Sequence, residues 1–273
     1  MTDLAFGRRI ADSSRRLKLP PLPAPVLGLI VPLVVGAVWE AACRAGLVAP
    51  NLLPAPSDIG KTLYQLAKTG ELWSHLAATC YRMALGFSLG VTAGTLFGAL
   101  TGASPLARRL LDPTIQGLRS VPSIAWVPLF ILWLGIFEAS KIVLIAAGVF
   151  FPVYLNLMLG IAQVDRKLID VGRVHRLGRL ALVRRILLPA ALPAYAAGLR
   201  SGLGLGWMFV IAAELMGASE GVGYLLIDGQ QTGRPALVIA AILLFALLGK
   251  LSDLALSLLC ARLVAWQDVA QEP

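Results

Sequence analysis

Long apolar segments dominate the chain and limit the folds that are open to it. Of the 273 residues, 58% are hydrophobic and 14% are charged, and the mean hydropathy is +0.78. A soluble domain carries roughly 25% charged residues, whereas a membrane-spanning helix needs roughly 20 mostly apolar residues in a row. Because unpaired backbone groups are too costly in lipid, we predict an all-α membrane protein with six transmembrane helices. They lie at about 26–46, 79–102, 115–135, 142–161, 194–216 and 236–258.

The basic residues predict how these helices are oriented. Lys and Arg concentrate on the cytoplasmic side of membrane spans. With a cytoplasmic N-terminus, the inner segments hold fifteen Lys and Arg residues and the outer segments hold five. We therefore predict a cytoplasmic basic tail over 1–25, a transmembrane domain over 26–262 and a cytoplasmic tail over 263–273. Orientation in the membrane explains the excess of basic residues behind the net charge of +9, so that we expect no nucleic-acid partner.

The most basic segment lies between the fourth and the fifth predicted spans. Residues 164–193 hold seven Lys and Arg residues against two acids, Asp165 and Asp170. A simple connection between two helices needs only a few residues. This segment is much longer, is predicted to be helical, and re-enters the membrane near Pro189. We interpret residues 162–193, called the basic loop below, as a segment that a cytoplasmic protein contacts.

Two of the predicted spans carry glycines at intervals of four residues. Such a row leaves one helix face without side chains, so that a neighbouring backbone can approach closely. We predict tight helix packing along both rows, and an interface that slides between two states is the further interpretation. The glycines are Gly86, Gly90, Gly94, Gly98 and Gly102 in the second span, and Gly198, Gly202 and Gly206 in the fifth.

Prolines and charges mark positions within the spans. Pro122 and Pro128 predict kinks in the third span, either as a structural feature or as the wall of a pathway. Arg200 and Glu214 share the fifth span but are fourteen residues apart, about 21 Å along a helix. Each therefore needs a partner on another helix or subunit, in water, or on a substrate. We name both as candidate residues of a substrate pathway.

Three other pairs of charges have the spacing of contacts within one helix. We predict local ion pairs at each of them. The pairs are Glu40 with Arg44, Glu138 with Lys141, and Lys250 with Asp253.

The chain lacks the motifs of a catalytic or metal site. It contains no GxSxG, HExxH or GxxxxGK[ST] sequence. Its histidines, His75 and His175, are predicted on opposite sides of the membrane, and its three cysteines have apolar neighbours and no CxxC spacing. We predict no catalytic residue, no metal and no cofactor in this chain. Any ATP hydrolysis that drives it must come from another polypeptide.

The basic loop and its flanks resemble one protein family. Asp170-Val171-Gly172, followed by Ile186-Leu187-Leu188-Pro189, resembles the cytoplasmic signature of ABC importer permeases. That signature reads Glu-Ala-Ala, three residues, Gly, nine residues, Ile-x-Leu-Pro. The segments RSVPSIAWVPLFILWLGIFEASKI, FPVYLN, EGVGYLL and AILLFALLGKLSD are similar to the branch that imports sulfonates, taurine, nitrate and related anions. The similarity covers about residues 47–266, and aliphatic-sulfonate permeases look nearest.

The resemblance implies a type I ABC importer transmembrane domain in the bacterial inner (plasma) membrane. Two permease copies, here identical, would form the pore, and cytoplasmic ATPase subunits that bind ATP and Mg would drive it. An extracytoplasmic binding protein would deliver a small anion, with an aliphatic sulfonate as the first expectation. The alternative substrates are taurine, nitrate, bicarbonate, an aromatic acid and a thiamine precursor. Outside transport, the alternatives are a polytopic membrane enzyme, whose clustered Asp, His or Ser residues are missing here, and a passive scaffold or channel.

The signature also implies which residues couple the permease to the ATPase. One of them departs from the family pattern, since the glycine of the signature falls on Arg176. A glycine there permits a tight turn, and an arginine with a positive φ would be strained. Gly178 could take over the turn, or the first helix could run longer, and either change would reshape the ATPase contact. The implied coupling residues are Asp170, Gly172, Arg173, Arg176, Gly178, Ile186, Leu188 and Pro189.

Overall fold

The computed structural model describes residues 24–264, which fold into helices without a strand in that range. A 3-10 turn over Ser123–Trp126 and a π turn over Val183–Leu187 interrupt the α-helices. The α-helices are α1 (Ala24–Arg44), α2 (Pro56–Thr69), α3 (Glu71–Ala103), α4 (Pro105–Ser120), α5 (Val127–Leu134), α6 (Glu138–Ala162), α7 (Arg166–Val174), α8 (Arg179–Leu182), α9 (Leu188–Leu215), α10 (Val222–Gln231) and α11 (Pro235–Leu263).

Several helices are suited to crossing a membrane, which confirms the all-α, multi-pass prediction. Within the described range, α3, α6, α11 and the helix over Leu180–Leu215 have the required length and hydropathy. The bent pair Pro105–Ser120 and Ile124–Leu134 makes a fifth span if it is counted as one. The total of six spans, with α1 as the first, and the cytoplasmic N-terminus stay predictions. Most of the two predicted tails, 1–23 and 265–273, lies outside the described residues.

The third predicted span is broken at one proline only. Val121 is extended, with φ −79° and ψ 122°, because a proline disfavours the helical conformation of the residue before it. Pro122 therefore ends α4, and the two halves of the span meet at 88°. Pro128 lies in the first turn of α5, where a backbone N–H has no intrahelical acceptor, so that its absence costs no hydrogen bond. The predicted kink at Pro128 is therefore wrong.

The fifth span begins earlier than the predicted 194. α8, the π turn and α9 follow one another without a gap from Arg179 to Leu215, so that the second half of the basic loop is helical. Pro189 has no N–H to donate, and its ring crowds the carbonyl four residues before it. The π turn directly precedes this proline, which is where a wider turn relieves that crowding.

α3 and α6 run parallel and pack along the glycine row of α3. A Cβ added at any of its five glycines would lie within 2.9 Å of an atom of α6. At Gly90 that atom is the backbone oxygen of Ala146, at 2.6 Å. α6 is consequently the most buried helix, and Ile145, Val149 and Val153 have no exposed surface.

α9 packs against α6 in the opposite direction. A Cβ at Gly198 would lie 2.7 Å from Asn156 Cβ, and one at Gly202 would lie 3.1 Å from Val153. Gly206 faces Met83 of α3, whose Cε would be 2.7 Å away. α3, α6 and α9 thus form a three-helix core. We call the end at which α3 and α6 begin the predicted outer end, and the end at which they finish the predicted cytoplasmic end.

Replacing Gly90 with alanine should destabilise this core. The added methyl group would meet a backbone oxygen, which cannot move without shifting α6, and overpacking of this kind costs roughly 1–3 kcal/mol. We expect a lower midpoint of thermal unfolding for the purified protein in detergent. Gly204→Ala is the matched control, because this helical glycine of α9 has no atom within 4 Å of the added Cβ. Equal midpoints for the two variants would contradict the packing argument.

Candidate functional site

The basic loop begins with a short helix, α7, that lies close to the start of the fifth span. Asp165 Oδ1 accepts a hydrogen bond from Lys167 N at 2.9 Å, in the first turn of this helix. A Cβ at Gly172 would lie 2.6 Å from both Ile186 Cδ1 and Leu182 Cδ1. The structure therefore brings together Gly172 and Ile186 of the signature, and a larger residue at position 172 would displace the ends of the Ile186 and Leu182 side chains.

An apolar cluster ties α7 to two spans. Leu187 and Ala191 of the fifth span are buried with Leu157 and Ile161 of α6, and Ile169 of α7 packs against them. Close-packed clusters transmit displacement rather than absorb it. α7 should therefore move together with the ends of α6 and α9. Leu188 also packs on this cluster, and Pro189 lies in the first turn of α9.

α7 also presents apolar side chains away from the protein. Leu168, Val171 and Val174 follow one another at intervals of three, on one side of the helix. Val171 is 54% exposed and Val174 is 81% exposed. Arg166 and Lys167 are exposed beside them. An exposed apolar strip with a polar rim is typical of a protein interaction surface.

Arg176 keeps a left-handed turn at the place of the signature's glycine, although this conformation is strained for an arginine. Its φ is 52°, and no other residue except glycine has a positive φ within 24–264. Leu177 N donates to Gly172 O at 3.0 Å, which closes α7 in the manner of a Schellman motif, where the left-handed residue is usually glycine. Both alternatives that we considered for avoiding the strain are wrong. The first helix does not run longer, since α7 ends at Val174, and Gly178 precedes α8 without taking a left-handed conformation.

Arg176→Gly should stabilise the end of α7. The left-handed conformation costs a non-glycine residue roughly 1–2 kcal/mol, and the greater freedom of unfolded glycine offsets roughly 0.5–1 kcal/mol of that gain. A net gain of about 1 kcal/mol would slow amide hydrogen exchange over residues 172–178 by about fivefold. Arg176→Ala removes the same charge but keeps the strain, so that we expect no slowing. Equal exchange rates in the two variants would show that backbone strain is not the cause.

Near the predicted outer end, Glu214 of α9 is fully buried, and its carboxylate accepts three hydrogen bonds. Its Oε1 accepts from Thr79 Oγ1 and from Arg82 Nη1, both at 2.8 Å. Its Oε2 accepts from Gly223 N at 2.7 Å. A carboxylate with 0% exposure needs such partners to replace the hydrogen bonds that it makes with water.

Arg82 joins Glu214 to the start of α6. Its Nε and Nη2 donate to the two carboxylate oxygens of Glu138, at 2.6 and 2.9 Å, and its Nη1 also donates to Glu220 O at 2.6 Å. Lys141 Nζ lies 3.1 Å from Glu138 Oε1. Arg82, Glu138, Lys141 and Glu214, called the ion cluster below, contain two cations and two anions and link α3, α6 and α9.

Two glycines let the chain pass close to the ion cluster after α9. Gly221 has a φ of 130°, and a Cβ there would lie 2.6 Å from Glu214 Oε1 and 2.7 Å from Arg82 Nη1. A Cβ at Gly223 would lie 2.6 Å from Glu214 Cβ. The backbone N–H of Gly221 donates to His75 Nδ1 at 3.0 Å. These contacts give a physical reason for both glycines of the EGVGYLL segment.

Arg200, the other predicted pathway residue, pairs with α11. Its Nε and Nη2 donate to the two carboxylate oxygens of Asp253, each at 3.0 Å. The predicted pair of Lys250 with Asp253 is therefore wrong, because Asp253 faces α9 and the planar guanidinium binds both of its oxygens. Arg200 and Glu214 each have a protein partner on another helix, which was one of the alternatives. Their place in a substrate pathway stays a prediction.

The other two local pairs are confirmed. Arg44 Nε lies 2.7 Å from Glu40 Oε1, and Lys141 pairs with Glu138 as described above.

Arg82 was missed by the sequence analysis, although a signal was present. It is a cation within the second apolar span, where ionisable residues are rare. Its partner Glu214 is 132 residues away, so that no local spacing could have indicated the pair. Thr79 and His75 carry no comparable signal.

Comparison with known proteins identifies the family. The family described as "binding-protein-dependent transport system inner membrane component" matches residues 90–264. A Bacillus subtilis protein named as an aliphatic sulfonates transport permease, SsuC, is 44% identical over 88% of this chain and 87% of its own length. The Escherichia coli protein of the same name is 40% identical, over 86% and 90%. The E. coli taurine transport system permease protein TauC is 35% identical, over 94% and 96%.

A solved structure supports the fold. The MetNI methionine ABC transporter, in an inward-facing conformation, contains a chain that superposes with a TM-score of 0.59 at 19% identity. The match covers 74% of this chain and 98% of that one. Together with the helical core and the sequence relatives, it shows that this chain belongs to the inner-membrane components of binding-protein-dependent transport systems, and that it is the membrane-spanning permease of an ABC importer rather than its ATPase.

Proposed function

We propose that this permease imports aliphatic sulfonates across the bacterial inner membrane. The observation that carries the proposal is the 44% and 40% identity, over almost the whole length, to two proteins named for aliphatic sulfonate transport. The relatives named for taurine and for nitrate follow at 35% and 32% identity. Taurine is accordingly the second candidate substrate.

The proposed importer contains two copies of this chain, two cytoplasmic ATPase subunits and an extracytoplasmic binding protein. ATP and Mg²⁺ bind to the ATPase subunits. The exposed apolar strip of α7 and the cations beside it support α7 as the ATPase-docking element, since they offer both apolar contact area and attraction for an acidic groove. The excess of Lys and Arg at this end of the bundle supports its cytoplasmic orientation.

The packing of α7 supports a mechanism of rigid-body coupling. Closure of the ATPase subunits would displace α7, and the apolar cluster around Leu187 would pass the displacement to α6 and α9. The ion cluster holds the opposite ends of the same helices together with α3. The spans of each copy would therefore tilt as one body, between an outward-open and an inward-open state.

A growth experiment tests the substrate. A strain that lacks this chain should fail to grow with ethanesulfonate or hexanesulfonate as the sole sulfur source, and should recover when the chain is supplied. Growth on sulfate should not change, which controls for general sulfur metabolism. Growth of the deleted strain on both alkanesulfonates would disprove the proposal. Loss of growth on taurine alone would assign the chain to the second candidate.

A further inference from the structure

A cavity of about 440 Å³ lies between the broken third span, α6 and α9. Aromatic and aliphatic side chains form most of its wall, among them Phe151, Met208 and Phe209. Among the described residues that line it, Arg119 carries the only charge, and Asn156 has the only other polar side chain. Binding pockets for small molecules have this composition and a volume of roughly 300–1,000 Å³.

The cavity opens on the side of the bundle, away from both of its ends, since Val121, Leu205 and Met208 of its wall are exposed. Gly148 and Asn156 line it from α6, at ten and eighteen residues after the start of that helix, about 15 and 27 Å along its axis. Val121 and Pro122, at the break of the third span, also face it. Irregular backbone at membrane depth is tolerated where it lines a cavity, and broken helices often surround the substrate of a transporter.

The two polar side chains can bind an anion. Arg119 Nη1 donates to Gln116 Oε1 at 3.3 Å, which uses one of the five N–H groups of the guanidinium. Asn156 Nδ2 donates to Pro152 O at 2.9 Å, which leaves its second N–H for a ligand. No carboxylate lies in the described wall to neutralise Arg119. A guanidinium fork matches the oxygens of a tetrahedral anion better than an ammonium does.

The apolar part of the wall suits an apolar chain. Gly148 permits close packing of Phe209, because a Cβ at Gly148 would lie 1.9 Å from the ring atom Cδ2. Met208 is exposed beside it and has a flexible side chain that adapts to contacts of different shape. The cavity therefore combines a single cation with an adaptable apolar surface.

We infer that this cavity is the passage for the anion, in which Arg119 and Asn156 bind the charged head group and Met208 and Phe209 contact its apolar tail. The inference rests on the proposed function and names residues for it. A single cation without a second fixed charge attracts an anion and still releases it, as conduction through a membrane pathway requires. Arg119 is thus a binding residue, and Met208 contributes to selection by tail length.

Uptake by the complete transporter tests this inference. The permease, its ATPase and its binding protein are reconstituted in liposomes, and the initial uptake of methanesulfonate and hexanesulfonate is measured. Arg119→Gln should reduce the uptake of both by about tenfold or more, since it removes a charge-assisted contact, whereas Arg119→Lys should retain part of it. Met208→Trp should reduce hexanesulfonate uptake several-fold more than methanesulfonate uptake.

Controls separate the binding role from folding and from the proposed function. Arg109→Gln removes a cation from the same helix but outside the cavity, so that we expect unchanged uptake. Co-purification of each variant with the ATPase shows that it has assembled. Wild-type rates in assembled Arg119→Gln, together with an unchanged tail preference in Met208→Trp, would overturn the inference while the proposed function stands. Failure of the wild-type transporter to import either sulfonate would overturn the proposed function first.

Discussion

Arg82→Met is expected to lower the free energy of unfolding by roughly 3–5 kcal/mol, because it leaves a fully buried carboxylate without its cation. Arg82 is the only basic residue within 24–264 that forms a salt bridge with Glu214. Its loss also removes two hydrogen bonds to Glu138. We expect the thermal midpoint in detergent to fall by roughly 6–20 °C.

Two further variants show that the effect arises from an uncompensated charge. Arg82→Met combined with Glu214→Gln removes both buried charges and keeps an acceptor for Gly223 N, so that it should recover at least half of the lost stability. Arg44→Met breaks an exposed pair with Glu40 and should cost less than about 1 kcal/mol. If the double variant is no more stable than Arg82→Met, the buried charge does not determine the stability of this region.

The periodic and compositional features of the fold were predictable from the sequence. Apolar length identified four of the six predicted spans, or five if the bent pair is counted as one, and the interval of four in the glycine rows identified the faces that meet α6 and α3. These features are repeated many times along a helix, so that a single irregular residue does not obscure them. The signature marked residue 176 as the place of a tight turn, but we expected Gly178 or a longer first helix to avoid the strain, and the structure keeps the left-handed turn at Arg176.

Pairings between distant helices were not predictable in the same way. Arg200 and Glu214 were recognised as needing partners, but Asp253 and Arg82 lie 53 and 132 residues away, and only the packing of the helices selects them. The cavity has the same origin, because α4, α6 and α9 contribute one or a few residues each. Pro122 predicted a break in the third span, but the sequence did not show that this break lines a cavity, because its position there depends on the packing of α6.

The two charged regions have opposite physical roles in the proposed cycle. In the ion cluster every charge is paired within the protein, and its hydrogen bonds join three helices near their predicted outer ends. In the basic loop the cations at Arg166, Lys167, Arg184 and Arg185 are exposed, and the apolar strip of α7 lies beside them. A transporter that tilts its spans as one body needs contacts that hold the spans together and a surface that receives the displacement. Variants in the first region should therefore affect stability, and variants in the second should affect the association with the ATPase.

Val171→Glu tests the second of these roles and should strongly reduce uptake without unfolding the permease. Val171 occupies a position of the signature and is 54% exposed on α7, so that the change places a charge where we propose apolar contact with the ATPase. Central residues of an interface contribute roughly 2 kcal/mol or more, which corresponds to about 30-fold weaker binding. Titration of the ATPase against the permease in lipid nanodiscs measures this loss, and uptake should fall with it.

Tyr64→Glu is the matched control for Val171→Glu, because Tyr64 is 68% exposed on α2, at the predicted outer end, and lies on no surface assigned to the ATPase. It introduces the same charge and should leave ATPase binding within about twofold of the wild type, since exposed substitutions away from an interface change free energies by less than about 0.5 kcal/mol. Both variants should keep the wild-type thermal midpoint, because neither side chain is buried. Wild-type affinity of Val171→Glu for the ATPase would show that the apolar strip of α7 is not the docking surface, and the coupling residues would then have to be sought elsewhere at the predicted cytoplasmic end.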